Sequence, residues 1–161
     1  MKKPVIVLLA ALVALAVVAI AGCGSSSSSD STESTASLSK AEFLKKGNAV
    51  CKEGNESINS EFEEFDKENN LSETAEPPKE VQEEAVEQVL IPAINRQIEE
   101  VKALGTPEGD EGELAELISA EEGVVEEAEE NPLLLFETTP KQKEANKLAT
   151  DYGLTVCGEE N

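Results

Sequence analysis

Apolar residues recur at helical spacing in four stretches of the chain, and polar residues fill the positions between them. In the first stretch an apolar residue returns every seven positions, at Leu44, Cys51, Ile58 and Phe65. A repeat of this kind places one apolar stripe along one face of an α-helix. The pattern therefore predicts a first helix over residues 40–68.

The residues before this helix form a complete start signal. Ser39 can cap the first turn, and Glu42, three positions on, can return the hydrogen bond, which is the capping-box arrangement. Leu38 and Phe43 flank this pair and can form a hydrophobic staple. We therefore expect the helix to begin directly after Ser39.

Two glycines, Gly47 and Gly54, lie on the apolar face of the same helix. Each costs about 1 kcal/mol of helix stability relative to alanine. Close approach of another helix is one explanation for them, and tolerated glycines at the edge of the surface are the other. The sequence leaves both explanations open.

The second stretch carries a proline in its middle. Pro78 stands where a helix tolerates proline, and Gly105 with Pro107 is a stop signal. The apolar stripe shifts around the helix axis after Pro92, which lacks the backbone N–H that an internal helical bond needs. We expect one long helix that bends at Pro92.

The third stretch is bounded by a start signal and by a proline. Asp110 and Glu113 have the spacing of a helix-capping pair, and Asn131 with Pro132 ends the helix. The apolar run that follows, residues 133–136, is short. Its length does not separate a helical turn from a buried extended segment.

The fourth stretch opens with Thr139 and Gln142 at capping-box spacing. It ends at Gly153 and Leu154, a glycine stop with an apolar closing contact. The connections between the four helices are mostly short, and no segment alternates with period two for long enough to form a convincing strand. We therefore predict an all-α fold, a four-helix up-and-down bundle.

The N-terminal segment has the physical pattern of a signal peptide. Lys2 and Lys3 give it a positive start, and residues 5–21 form an apolar run that ends in small residues. A permanent transmembrane anchor is the alternative, since the run lies at the short edge of what crosses about 30 Å of hydrocarbon. In either case the lysines hold the N-terminus in the cytoplasm and place the rest of the chain outside.

Ile20, Ala21, Gly22 and Cys23 resemble the lipobox of bacterial lipoproteins, at which a signal peptidase cuts before a cysteine that becomes diacylated. The serine tract that follows and the ending of the chain, residues 150–158, are similar to those of small helical secreted lipoproteins of Gram-positive, especially high-GC, bacteria. The resemblance implies lipidation of Cys23. Two acyl chains are enough for stable anchoring in a membrane.

This interpretation divides the chain into three parts. They are a signal peptide over residues 1–22, a lipidated cysteine with a Ser/Thr-rich tether over residues 23–38, and an acidic helical bundle over residues 39–161. The tether offers little that can be buried and is typical of a flexible linker. We expect the protein at the cell membrane, lipid-anchored on the extracytoplasmic face.

Cys51 and Cys157 are the two cysteines that remain once Cys23 carries lipid. Outside the membrane, two thiols in one small domain favour a disulfide, which here would tie the first helix to the C-terminal tail. It would close a loop of about 106 residues, and the chain-entropy account values such a loop at about 4–5 kcal/mol. A redox pair or a metal site is the alternative, but the chain has no Cys-x-x-Cys and no histidine.

The chain has 34 acidic and 13 basic residues, a formal net charge of −21. Such a surface repels nucleic acid, so we expect no nucleic-acid partner. Adjacent residues of a helix point about 100° apart, so we expect the acidic doublets to be solvated on outer faces rather than to form a paired-carboxylate site. They are Glu63-Glu64, Glu83-Glu84, Glu99-Glu100, Glu121-Glu122, Glu126-Glu127 and Glu129-Glu130.

The residue types that most chemistry requires are scarce. Histidine is absent, the single methionine is Met1, and Arg96 is the one arginine. This removes His-based acid–base catalysis and His-containing zinc sites. Arg96 stands between polar neighbours on an expected surface, and residues 108–113 lack the ligand spacing of an EF-hand loop. We expect no catalytic residues, no metal site and no cofactor.

Two functional hypotheses follow. The first is a non-enzymatic interaction or structural module of the cell envelope, which binds envelope proteins or wall components. The alternative is a carrier of an apolar small molecule, with a cavity expected near Pro92 and residues 133–136. A carrier requires an apolar cavity, whereas an interaction module requires a solid core under an exposed apolar or charged patch.

Overall fold

The structure, a computed structural model, describes residues 38–72 and 76–159. Its elements are α1 (Lys40–Glu68), α2 (Lys79–Ala85), a π turn (Val86–Leu90), α3 (Ile91–Ala103), α4 (Glu111–Glu130), a 3₁₀ turn (Pro132–Phe136) and α5 (Pro140–Tyr152). α2, the π turn and α3 follow one another without a break. The described part of the chain therefore forms four helical rods. The first is α1, the second consists of α2, the π turn and α3, the third is α4 and the fourth is α5.

Rods that follow one another along the chain pack together. α1 packs on α3, α3 on α4, and α4 on α5. Short connections make such neighbours antiparallel. The predicted all-α, four-helix up-and-down bundle is confirmed, and so is the disulfide between Cys51 of α1 and Cys157 in the tail after α5.

Both predicted capping boxes are present. The Ser39 hydroxyl accepts from the backbone N–H of Glu42, and the Glu42 carboxylate accepts from the backbone N–H of Ser39. Thr139 and Gln142 make the same reciprocal pair at the start of α5. Gly153 follows α5 with a φ of 108°, which is the left-handed conformation that glycine favours at a helix stop.

The predicted capping role of Asp110 is wrong. Asp110 directly precedes α4, but its side chain makes no capping hydrogen bond. Its carboxylate accepts a hydrogen bond from the Tyr152 hydroxyl at 2.9 Å and forms an ion pair with Lys40 at 3.3 Å. Hydrogen bonds to a charged group are stronger than neutral ones, and these tertiary partners take the place of the local cap.

The second rod passes Pro92 through a π turn. In this turn the backbone N–H of Ile91 donates to the carbonyl of Val86, five residues earlier. In a regular α-helix the proline ring would collide with the carbonyl four residues before it, and a wider turn accommodates the ring. The helix continues past Pro92 without a break, as predicted, and departs from the regular α-helix in the π turn that directly precedes Ile91. The predicted bend at Pro92 stays a prediction.

Residues 133–136 belong to the 3₁₀ turn, which decides between the two alternatives for this apolar run. No residue of the turn is fully buried, and the Phe136 side chain is 52% exposed. The turn packs against α2 and the π turn. The 3₁₀ turn therefore lies beside α2 and the π turn.

Many of the buried side chains fall into two clusters. The large core comprises Phe43, Cys51, Val101, Leu114, Leu117, Ala149, Tyr152 and Leu154, with Leu38 packed against it, and the small core comprises Phe65, Ala85 and Val89. The 13-residue α5 is about 20 Å long and the 29-residue α1 about 43 Å. α5 can therefore contribute to the large core but cannot extend along the whole of α1.

The predicted signal peptide, the lipidation of Cys23 and all of the tether except Leu38 lie outside the described residues. Within residues 38–72 and 76–159, no helix is both long enough and apolar enough to cross a membrane.

Candidate functional site

A cavity of about 450 Å³ lies beside the large core and is partly open to solvent. It extends to Phe62, which packs against the small core. Much of its wall is apolar and comes from three helices. These side chains are Ile58 and Phe62 of α1, Ile94 and Ile98 of α3, and Leu117 and Val124 of α4.

The cavity lies near the place that the sequence indicated. Leu90 and Ile94 on either side of Pro92 contribute to its wall, and so do Leu135 and Phe136 of the 3₁₀ turn. The side chains of this short turn fill less space than those of a longer α5 would. A cavity beside the turn is therefore consistent with the limited length of α5.

Glu121 of α4 brings a carboxyl group into this apolar wall. It follows Leu117 by four residues and precedes Val124 by three, so it shares their helix face. It lines the cavity, is partly buried, and has no hydrogen-bond or ion-pair partner within the described part of the chain. Burial raises the pKa of Glu121 to about 7, because the wall stabilises the charged carboxylate less well than water does.

The prediction that the Glu121-Glu122 doublet is solvated on an outer face is therefore wrong for Glu121. Glu122 is exposed and pairs with Lys102 at 3.3 Å, as a surface residue does. The sequence contained the signal that separates the two. A count of helical positions from Leu117 and Val124 places Glu121 on the apolar face and Glu122 beside it.

Amide side chains supply most of the other polar groups of the wall. They are Asn55 and Asn59 of α1, Gln97 of α3, and Gln142 and Asn146 of α5. Gln97 Nε2 lies 3.5 Å from Asn55 Oδ1. A Cβ at Gly54 would overlap the Gln97 side chain, so Gly54 makes room for this side chain of α3 in its present position.

The C-terminal tail forms one side of the cavity. Cys157 and Cys51 both line it, and their Cα atoms are 5.2 Å apart in the disulfide. Leu154 is fully buried against Gly47, where a Cβ would stand 2.5 Å from the Leu154 Cδ2 atom. Both glycines of the α1 face thus make room for a close neighbour.

Asn48 fixes the same tail through its amide group, a role that the sequence reasoning missed. Its Nδ2 donates to the Gly153 carbonyl at 3.0 Å, and its Oδ1 accepts from the Val156 backbone N–H at 2.8 Å. An isolated asparagine within a helix carries no pattern that identifies such partners. Only the return of the tail to α1 shows the role of Asn48.

The charges around the cavity are negative. Besides Glu121, the exposed residues Glu137 and Glu159 line it, and the described wall contains no lysine and no arginine. Arg96 is exposed, pairs with Glu61 at 2.6 Å and does not line the cavity. Within the described residues, no group of three or more His, Cys, Asp or Glu side chains is placed to hold a metal ion.

No protein-family model, no curated protein and no solved structure matches this chain. The argument for function therefore depends on the cavity and on the groups that line it.

Proposed function

We propose that this protein is a binding protein that takes up an apolar small molecule in the cavity of its helical bundle. The observation that carries the proposal is the cavity of about 450 Å³ with apolar walls from α1, α3 and α4. Small-molecule sites are typically concave, mostly apolar and provided with a few polar groups. Because an apolar cavity of about 150 Å³ holds one benzene, this one suits a ligand of roughly 15–20 non-hydrogen atoms.

An interaction module of the cell envelope is less well supported by the geometry. Such a module requires an exposed apolar or charged patch over a solid core. The net charge of −21 could supply a charged patch, but the cavity means that the core is not solid. Within the described residues, Phe136 is the one large hydrophobic side chain that is exposed, and it lines the cavity. A ligand entrance at the cavity would explain why Phe136 is exposed. Envelope proteins or wall components are then proposed as partners with which the carrier exchanges its ligand.

We further propose that a lipid on Cys23 anchors the protein to the extracytoplasmic face of the cell membrane. Residues 20–23 support this location, and so does the disulfide, since disulfides persist mainly outside the reducing cytoplasm. Mass spectrometry of the chain isolated from membranes tests the anchor. The expected mass begins at a diacylated Cys23, and an intact leader with unmodified sulfur would contradict it.

Calorimetric titration with dodecanol, a neutral apolar probe, tests the binding function. The full chain is placed in phosphatidylcholine nanodiscs, and empty nanodiscs serve as the reference for partitioning into lipid. We expect saturable binding of one dodecanol per chain. No saturable binding beyond that of empty nanodiscs would overturn the proposal.

A cavity-filling variant locates the binding. Ile94→Trp places a larger side chain in the wall, whereas Ala103→Trp adds the same ring at an exposed position of the same helix. We expect Ile94→Trp to weaken dodecanol binding at least about tenfold and Ala103→Trp to leave it unchanged. Circular dichroism checks that each variant is helical, and Ile58→Phe repeats the test from α1 if Ile94→Trp does not fold.

A further inference from the structure

We infer that the ligand of this cavity is an apolar amine whose positively charged ammonium group binds against the carboxylate of Glu121. The inference depends on the proposed ligand-binding function and names the chemical class of the ligand. It is carried by three properties of the cavity: an unpartnered carboxyl group, a wall without positive charge, and amide acceptors beside an apolar surface.

Glu121 differs from the other partly buried carboxylates of the bundle because it lacks a partner. Asp110 accepts from Tyr152 and pairs with Lys40. Glu61 pairs with Arg96 at 2.6 Å. A carboxylate among apolar side chains destabilises a protein unless another group compensates its charge. Within the described chain no side chain compensates Glu121, so a bound cation can take that place.

The remaining charges of the cavity favour a cation and disfavour an anion. Every ionisable side chain that lines it is acidic, namely Glu121, Glu137 and Glu159. A carboxylate or phosphate ligand would meet like charge without a basic residue to pair with. Attraction between opposite charges is stronger at a partly buried site than in water, so an ammonium group gains most beside Glu121.

The wall of the cavity also fits the two ends of an amine with an apolar body. Leu117 and Val124 border it along α4 and provide an apolar surface. Amide oxygens of Asn55 and Gln97 belong to the same wall and can accept N–H bonds that the carboxylate does not. An ammonium group has three donors, which a single carboxylate does not satisfy.

A headgroup series on one alkyl chain tests the inference. Dodecylammonium, dodecanol and dodecanoate are titrated into the full chain in phosphatidylcholine nanodiscs at about pH 8, with empty nanodiscs subtracted for each probe. We expect dodecylammonium to bind about tenfold or more tightly than dodecanol, since a charge-assisted hydrogen bond contributes about that factor. Dodecanoate is expected to bind most weakly.

Glu121→Gln removes the charge and keeps the shape of the side chain. In this variant we expect dodecylammonium to lose its advantage, so that the ratio of its affinity to that of dodecanol falls about tenfold. Glu126→Gln, an exposed position of the same helix, is the matched control and should leave all three affinities unchanged.

The outcomes separate the inference from the proposed function. If dodecanol shows no saturable binding beyond that of empty nanodiscs, the binding function itself is overturned. If dodecanol binds as tightly as dodecylammonium, or if Glu121→Gln leaves the order of affinities unchanged, the cavity remains a ligand site but the cationic ligand is refuted. Tightest binding of dodecanoate would refute it as well.

Discussion

At the scale of single residues, the position of Glu121 on its helix determines its chemistry. Glu121 and Glu122 are neighbours of the same type, yet one faces an apolar cavity and the other pairs with Lys102 at the surface. The difference is one step of about 100° around the helix axis. The carboxyl group of Glu121 must either bind a proton or pair with a cation, since neither water nor a basic side chain fully compensates its charge.

The raised pKa of Glu121 predicts a pH dependence of stability. Below the ordinary glutamate pKa the group is protonated in both the folded and the unfolded chain. Between that pKa and about 7 the folded protein holds a proton that the unfolded chain has lost, so the free energy of unfolding falls as the pH rises through this interval. The total loss above pH 7 is at most about 3–4 kcal/mol.

Comparison with Glu121→Gln isolates this contribution, which urea unfolding at about pH 4 and pH 8 measures. The variant should match the wild type near pH 4, where the carboxyl is protonated in both states, and be more stable than it at pH 8. Glu137 and Glu159 also line the cavity, while the side chains that α1 and α3 contribute to the wall do not titrate. Both exposed acids are present in the two proteins and form a common background. Parallel pH profiles for the two proteins would contradict the predicted role of Glu121.

At the scale of elements, glycines determine how closely α1 meets its neighbours. Gly47 allows Leu154 of the tail to pack against the helix, and Gly54 allows Gln97 of α3 to do so. Each glycine lowers the intrinsic stability of α1 by about 1 kcal/mol relative to alanine. By itself, α1 is thus less stable than it would be with alanine at these positions. In the bundle, the two glycines allow the contacts with Leu154 and Gln97.

Gly47 and Gly123 provide a matched pair of substitutions. Gly47→Ala should lower the free energy of unfolding by about 1 kcal/mol or more, because its Cβ overlaps the fully buried Leu154. Gly123→Ala, within α4 and with no atom near its added Cβ, should raise it by about 0.5–1 kcal/mol. Urea unfolding of both variants checks the signs, and stabilisation by Gly47→Ala would show that the tail does not pack closely on α1.

At the scale of the whole molecule, the disulfide joins the first helix of the bundle to the C-terminal tail. The chain carries a net charge of −21, whose self-repulsion opposes compaction. The Cys51–Cys157 bond spans 106 residues and holds the tail against the cavity. Its constraint on the unfolded chain is therefore a large share of a domain stability of about 5–15 kcal/mol.

Reduction of this bond should lower the free energy of unfolding by about 4–5 kcal/mol. The measurement is urea unfolding of the full chain with and without dithiothreitol, and the Cys51→Ala/Cys157→Ala double variant serves as a control that the reductant does not affect. Dodecanol binding should weaken in the same samples, because the freed tail no longer forms its side of the cavity. A change in stability below about 1 kcal/mol would contradict this account of the bundle.

Local signals in the sequence determined where the helices begin and end. Ser39 with Glu42, Thr139 with Gln142, and Gly153 each act through backbone groups within a few residues, so their geometry follows from spacing alone. The disulfide partners also follow from the sequence once Cys23 is assigned to lipid, because only two cysteines then remain. The all-α bundle follows from these signals and the apolar stripes.

Contacts between distant residues decided the rest. Asp110 bonds Tyr152 instead of its own helix, Asn48 holds a tail more than a hundred residues away in the chain, and Gly54 makes room for Gln97. The size of the cavity depends on how α1, α3, α4 and the tail pack together, and the unpaired carboxyl of Glu121 depends on the same packing. Spacing along the chain determines which face of a helix is apolar, but only the assembled bundle determines what each face meets and how much space is left between the helices.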